Sequence, residues 1–96
     1  MPINIYRSPP EGSIEKVAWL CDGSWNLPEQ AYELMAWLNS ATANLKPGNL
    51  IADIGFRARP DASGGGSAFS PKELARMSEL DMSLWLSEYP AETAAA

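Results

Sequence analysis

Apolar residues recur along this chain at two periods. They fall on every second position in four short stretches and on every third or fourth position in two longer ones. Period two is the mark of a half-buried strand and period 3.6 that of an amphipathic helix. In "PINIY" (2–6) Ile3 and Ile5 alternate and predict a short strand. "IEKVAWLC" (14–21) predicts a second strand, with Val17, Trp19 and Cys21 on one face and Ala18 and Leu20 on the other. In "LIADIGFR" (50–57) Leu50, Ala52, Ile54 and Phe56 belong on the core, while Ile51, Asp53, Gly55 and Arg57 face away. In "MSLWLSEY" (82–89) Met82, Leu84 and Leu86 are the core set, and Ser83, Trp85, Ser87 and Tyr89 the opposite one.

The helical period appears in Ala31, Leu34, Met35, Leu38, Ala41 and Leu45, which form a single apolar stripe. Asn26 followed by Glu29 is a capping-box start, and Pro47–Gly48 is a stop, so a helix is expected to run to about Asn44. "SPKE" (70–73) is the sharpest start signal: Ser70 at the cap, Pro71 in the first helical position, Glu73 closing the box. That short helix should turn Leu74 and Met77 inward. Residues 7–13 hold two prolines and Gly12 and read as a turn, which makes the first two strands a hairpin.

The resulting order is ββαβαβ. Strand–helix–strand passages return the chain in parallel, and the hairpin adds an antiparallel member. The expected fold is α+β: a two-layer sandwich of a four-stranded mixed sheet with two helices on one face. It occupies residues 1–90 as one small domain, with 91–96 as a frayed tail.

Composition narrows the function. The formal charge is −5, a poor balance for a nucleic-acid binder and a suitable one for a basic protein surface. There is no histidine and only one cysteine, so a zinc site is not expected, no internal disulfide can form, and Cys21 reads as a reduced core residue. No stretch is long and apolar enough to span a membrane and no signal-peptide pattern opens the chain, so the expected location is the cytoplasm. No cofactor is expected.

The stretch "DASGGGSAFSPKEL" (61–74) looks at first like an anion cradle, with three glycines ahead of a helix. The phosphate loop needs Lys and a hydroxyl directly after its glycines, and here Ser67, Ala68 and Phe69 follow. The helix end is also taken by Ser70 and Glu73, so the stretch reads as a connector. Glu29 and Glu33 are four apart on the first helix, but acids at a helix start also suit its dipole. No serine sits in a nucleophile elbow, and an enzyme is not expected.

The aromatics carry more information. Four tryptophans are many for 96 residues. Core packing accounts for Trp19 and Trp25, whereas Trp37 lies beside the apolar stripe and not on it. Trp85 and Tyr89 fall on the strand face that two one-sided helices would leave bare, together with Ile51 and Arg57. Trp, Tyr and Arg are the residues enriched at binding hot spots.

"FSPKELARMSELDMSLWLSEYP" (69–90) resembles the C-terminal half of a family of small bacterial proteins of unknown function. In that family a run of glycines, an apolar residue, Ser-Pro, a leucine-rich short helix and an alternating strand ending in Tyr close the domain. "LPEQAYELMAWLNSATANLKPG" (27–48) is similar to the family's long helix, and "ADIGFRA" (52–58) matches its strand in position. The resemblance spans about residues 25–90. Two departures stand out: the family has a further N-terminal strand and helix, and Asp81 stands where it favours Gly. The resemblance implies a small α/β sandwich and no active-site residues. Some relatives are thought to act as immunity-type proteins against toxins.

The functional expectation is therefore a non-enzymatic, protein-binding inhibitor that blocks a target surface sterically. Its contact residues would be Trp85, Tyr89, Trp37, Glu29, Glu33 and Arg57. Two settings fit: a toxin-neutralising immunity protein, or a phage-encoded anti-defence protein of the anti-CRISPR kind whose acids imitate phosphates. The partner would be a protein, with no direct nucleic-acid or membrane contact, and a homodimer is allowed. The alternative is a small-ligand-binding or regulatory homodimeric domain, which a deep pocket between Trp19 and Trp37 would favour.

Overall fold

The computed structural model describes residues 2–61, 63, 64 and 66–90. Its elements are β1 (Ile3–Arg7), β2 (Glu15–Leu20), α1 (Leu27–Ser40), β3 (Leu50–Arg57), α2 (Pro71–Glu79) and β4 (Met82–Tyr89). This is the ββαβαβ order that the periodicities predict. The four strands make one mixed sheet in the order β2-β1-β3-β4. β1 runs antiparallel to both β2 and β3, and β3 runs parallel to β4. Hence β2 and β3 share a direction, and each passage through a helix returns the chain in parallel. The expected tail at 91–96 lies outside the described residues.

Both helices pack on one face of the sheet. Leu34 and Leu38 of α1 and Met77 of α2 share a core with Ile3, Ile5, Leu50, Ala52 and Ile54. Leu80 and Met82, at the α2–β4 junction, complete it. This alternation on β1 and β3 is what places the helices, because only that face offers a continuous aliphatic surface.

α1 starts as its sequence predicts. Asn26 has extended backbone, and its side chain accepts the Glu29 amide at 3.3 Å. The helix ends at Ser40, short of the expected Asn44. The reason is a cation from the other helix. Arg76 of α2 donates Nη2 to the Thr42 carbonyl at 2.6 Å and Nε to Thr42 Oγ1 at 3.1 Å, while Thr42 Oγ1 donates to the Leu38 carbonyl at 2.8 Å. The guanidinium satisfies the Thr42 carbonyl, which a further helical turn would have used, and a cation at this C-terminus also suits the helix dipole. Leu45 then packs against the core without being helical.

In α2 the expected capping box forms by half. Ser70 sits at the cap, but its side chain makes no bond to the helix amides. Its hydroxyl instead donates to Glu73 Oε1, and Asn39 Nδ2 donates to Oε2 at 3.3 Å. The Ser70 hydroxyl is the main reason the Glu73 carboxyl titrates below its ordinary range. Glu73, Met77 and Leu80 form the buried side of this segment, so Leu74, expected inward, is 49% exposed.

β4 is only partly covered. Met82 is buried and Leu84 half-buried, but Leu86, expected in the core, is 57% exposed. Length explains this. The nine residues of α2 cover roughly 13 Å and the eight of β4 about 26 Å, so the helix shields only the first half of the strand. At the turn between them Asp81 has φ +55°, the left-handed conformation that glycine adopts most readily. Asp tolerates that conformation, and Asp81 Oδ2 also accepts the amide of Asn49 at 2.9 Å.

Candidate functional site

Among the described residues the second face of the sheet carries no helix. Strand register arranges its residues in rows. One row reads Trp19, Asn4, Asp53, Trp85 from edge to edge. The row beside it reads Lys16, Tyr6, Ile51, Ser83. On the other side lie Gly55 with Ser87, then Arg57 with Tyr89. Trp19, Trp85 and Tyr89 are 53%, 50% and 47% exposed, so about half of each ring meets solvent. Among the described residues no helix covers this face, and it carries Trp85, Tyr89 and Arg57 as the alternation requires, with the Trp25 loop lying over its Gly55 end.

Trp19 is a correction. It was expected in the core with Val17 and Cys21, and it stands on the open face instead. Ile3 and Ile5 are wholly buried and pair with Leu20 and Ala18, so the residue between those two must point the other way. The register shifts at Val17, which is skipped between the Ile5–Ala18 and Tyr6–Lys16 pairs. This bulge lets both Val17 and Ala18 pack against the core. Lys16 lies 4.9 Å from the centroid of the Trp19 ring, an exposed cation–π contact.

Trp25 is the residue that the sequence reading assigned to packing and the structure assigns to this face. It lies in the loop between β2 and α1, and its carbonyl accepts the Arg57 amide at 3.0 Å. The amide of Gly55 bonds to the Pro2 carbonyl, so the loop extends the ladder on β3 past the start of β1. Gln30 holds the loop down. It is wholly buried, and its Nε2 donates to the carbonyls of Ser24 at 3.0 Å and Gly55 at 2.6 Å, while its Oε1 has no partner among the described residues. The Trp25 indole therefore stands over Gly55. The Arg57 guanidinium lies 4.3 Å from its ring centroid, and the Tyr89 ring meets it edge-on at 5.4 Å and 81°.

Gly55 is what makes this stack fit. A Cβ there would lie 3.0 Å from Tyr89 Cε2 and 3.4 Å from Trp25 Cζ3. A glycine inside a strand often marks such a close approach, and "ADIGF" was the available signal. An open depression lined by Trp25, Asn26, Arg57, Ala58, Arg59 and Pro60 adjoins the cluster.

The other three candidates lie on the helix layer. Trp37 is half-buried against the core. Glu29 and Glu33 are exposed on α1 beside Cys21, Pro28 and Tyr32. Burial first, then these two carboxylates, pushes the Cys21 thiol up, which disfavours the reactive thiolate. Cys21 itself is half-buried and packs against the core from its margin. The six candidates thus divide into two groups on opposite layers, and a pocket between Trp19 and Trp37 is ruled out by the same division.

The charges on the open face are Lys16, Arg57 and Asp53. Asp53 Oδ1 accepts the Ser87 hydroxyl at 2.7 Å, and Asp53 makes no ion pair among the described residues. The face is aromatic at both edges with polar groups at its centre. Among the described residues no three His, Cys, Asp or Glu side chains group to hold a metal ion, and no helix is long and apolar enough to cross a membrane. No family model matches the chain, and no curated protein and no solved structure matches it.

Proposed function

We propose that this protein is a non-enzymatic inhibitor that works by covering the surface of another protein with the open face of its sheet. The observation that carries the reading is that face: Trp19, Trp85 and Tyr89 half exposed on one side of a sheet whose other side already holds the whole core. Half-exposed indoles on a rigid strand lose little conformational freedom on binding, and such residues dominate interface energetics. The contact set is Trp85, Tyr89 and Arg57, joined by Trp19 and Trp25. Glu29, Glu33 and Trp37 would engage the same partner only if it reached round to the helix layer. The acids that could imitate phosphates are therefore not the ones beside the tryptophans, which favours an apolar contact over mimicry of a nucleic acid.

The resemblance across about residues 25–90 supports an immunity-type role against a toxin in the cytoplasm. A phage-encoded block on a host defence complex is the second setting, and neighbouring genes would separate the two. The test is capture of partners by wild type and by Trp85→Ala/Tyr89→Ala. The double variant should stay folded and lose the partner that wild type holds. Retention of that partner at wild-type affinity by a folded double variant would falsify the open-face reading.

A further inference from the structure

We infer that the free edge of β4 is a self-association surface, and that two copies of the chain form a two-fold dimer by antiparallel pairing of β4 with β4. This does not rest on the proposed role of the open face.

The two edges of the sheet are built differently. The β2 edge is six residues long, bulged at Val17, and carries exposed Glu15 and Lys16. Bulges and charges are the usual guards against strand addition. The β4 edge has none of them along its middle. Its eight residues pair with β3 without a register shift, contain no Pro or Gly, and hold one charge, Glu88, near the end. Four of the seven large apolar residues exposed among the described residues lie on β4 and the helix beside it: Leu74, Trp85, Leu86 and Tyr89. They flank the edge on both sides. Trp85 and Tyr89 stand on the open face, and Leu86 and Leu74 on the helix side. A partner laid on either face alone would leave the other pair in water. A strand added at the edge brings side chains to both.

A second copy fits as that strand. A two-fold axis at Trp85 sets Leu84 opposite Leu86, Ser83 opposite Ser87 and Met82 opposite Glu88. Directly opposed residues of an antiparallel pair share a face, so each match joins like with like in orientation. Leu86, left bare by the shortness of α2, gains the partner's Leu84 on the helix side, and Glu88 never faces its own copy. The result is one continuous sheet with the two open faces side by side.

Sedimentation velocity from low to high micromolar concentration tests this. Wild type should sediment as a dimer at the upper end, and Leu86→Lys should weaken association at least tenfold with an unchanged circular-dichroism spectrum. Trp19→Ala, confined to the open face, should leave the dimer intact, so loss of partner binding and loss of dimer are read separately. As a check that does not depend on Leu86→Lys folding, Cys21→Ser/Trp85→Cys should crosslink to a dimer with a short bis-maleimide. A wild type that stays monomeric throughout, or a dimer that persists in Leu86→Lys and gives no crosslink at position 85, would overturn the inference.

Discussion

The two faces of this sheet are made from the same strands and solve opposite problems. Toward the helices, β1 and β3 present Ile3, Ile5, Leu50, Ala52 and Ile54, all essentially removed from solvent. Away from them the same strands present Asn4, Tyr6, Ile51, Asp53 and Arg57, half-buried among large rings. The aliphatic side is closed and anonymous. The aromatic side is where the chain keeps three of its four tryptophans. Size alone would put indoles in the core, since they remove the most surface from water. Their presence on the side that no helix covers means that core stability is not what they supply.

The largest contrast between the faces should appear in stability. Ile54 is wholly buried between Ile3 on β1 and Leu86 on β4, under the helices. Ile54→Ala should cost about 3–4 kcal/mol, from lost transfer energy and from a cavity that rigid neighbours cannot close. In a domain of this size that is a fall in Tm of roughly 15 °C or more, measurable by thermal denaturation followed by circular dichroism. A fall as small as that of an open-face variant would mean that the two layers are not packed as described.

The next effect links the faces. Gln30 is on the helix side, yet its amide holds the Ser24 and Gly55 carbonyls from which Trp25 hangs. Gln30→Ala should cost about 2 kcal/mol, because two carbonyls lose a buried donor. Its distinguishing signature is local: amide exchange at Gly55 and Arg57 should accelerate more than exchange in β1, and Trp25 fluorescence should shift toward that of a hydrated indole. Uniform acceleration along the sheet would show that Gln30 stabilises the core at large and does not anchor the loop.

What the sequence revealed of all this follows physical lines. Period-two alternation in 50–57 and 82–89 was enough to place Trp85, Tyr89 and Arg57 on the bare face, because each strand has one aliphatic side. It failed for β2, where Val17, Trp19 and Cys21 outweigh Ala18 and Leu20 in bulk, and where only pairing with Ile3 and Ile5 and a bulge decide the side. Trp25 was illegible for another reason. Its place depends on a loop carbonyl meeting the Arg57 amide from a strand 32 residues further on in sequence, which no local pattern records. The end of α1 was missed because its terminator, Arg76, comes from the other helix. Leu74 and Leu86 were misplaced because alternation tells which side a residue faces and not how far the covering helix reaches.

Gly55→Ala probes the aromatic side more gently. The backbone at Gly55 is not left-handed, so the cost comes from the added methyl alone. It would press on Tyr89 and Trp25 at their ring edges, and Tyr89 has solvent to retreat into. A loss of about 1 kcal/mol is expected, at the low end for an inserted methyl group. The Trp25–Tyr89 edge contact should open, which would be seen as a change in near-ultraviolet circular dichroism larger than the change in stability suggests. An unaltered near-ultraviolet spectrum would mean that the two rings do not lean on each other across this glycine.

Trp19→Ala should cost less than a core truncation and be the most informative about what the open face is for. The ring is about half exposed, the Lys16 ammonium lies over it, and its row neighbour Asn4 is polar. An exposed cation–π contact contributes roughly 0.5–1 kcal/mol, and the covered half of the ring adds to it, so the loss should stay below that of a fully buried indole. A core indole of the same size would cost about 3–5 kcal/mol on truncation. The difference between those figures measures how much of this residue is held back from folding. If Trp19→Ala destabilises like a core variant, β2 packs through Trp19 after all, and the bare face shrinks to β3 and β4. If it folds nearly as stably as wild type and fails to hold a partner that wild type captures, the tryptophans on both edges of the sheet belong to one contact surface that spans all four strands.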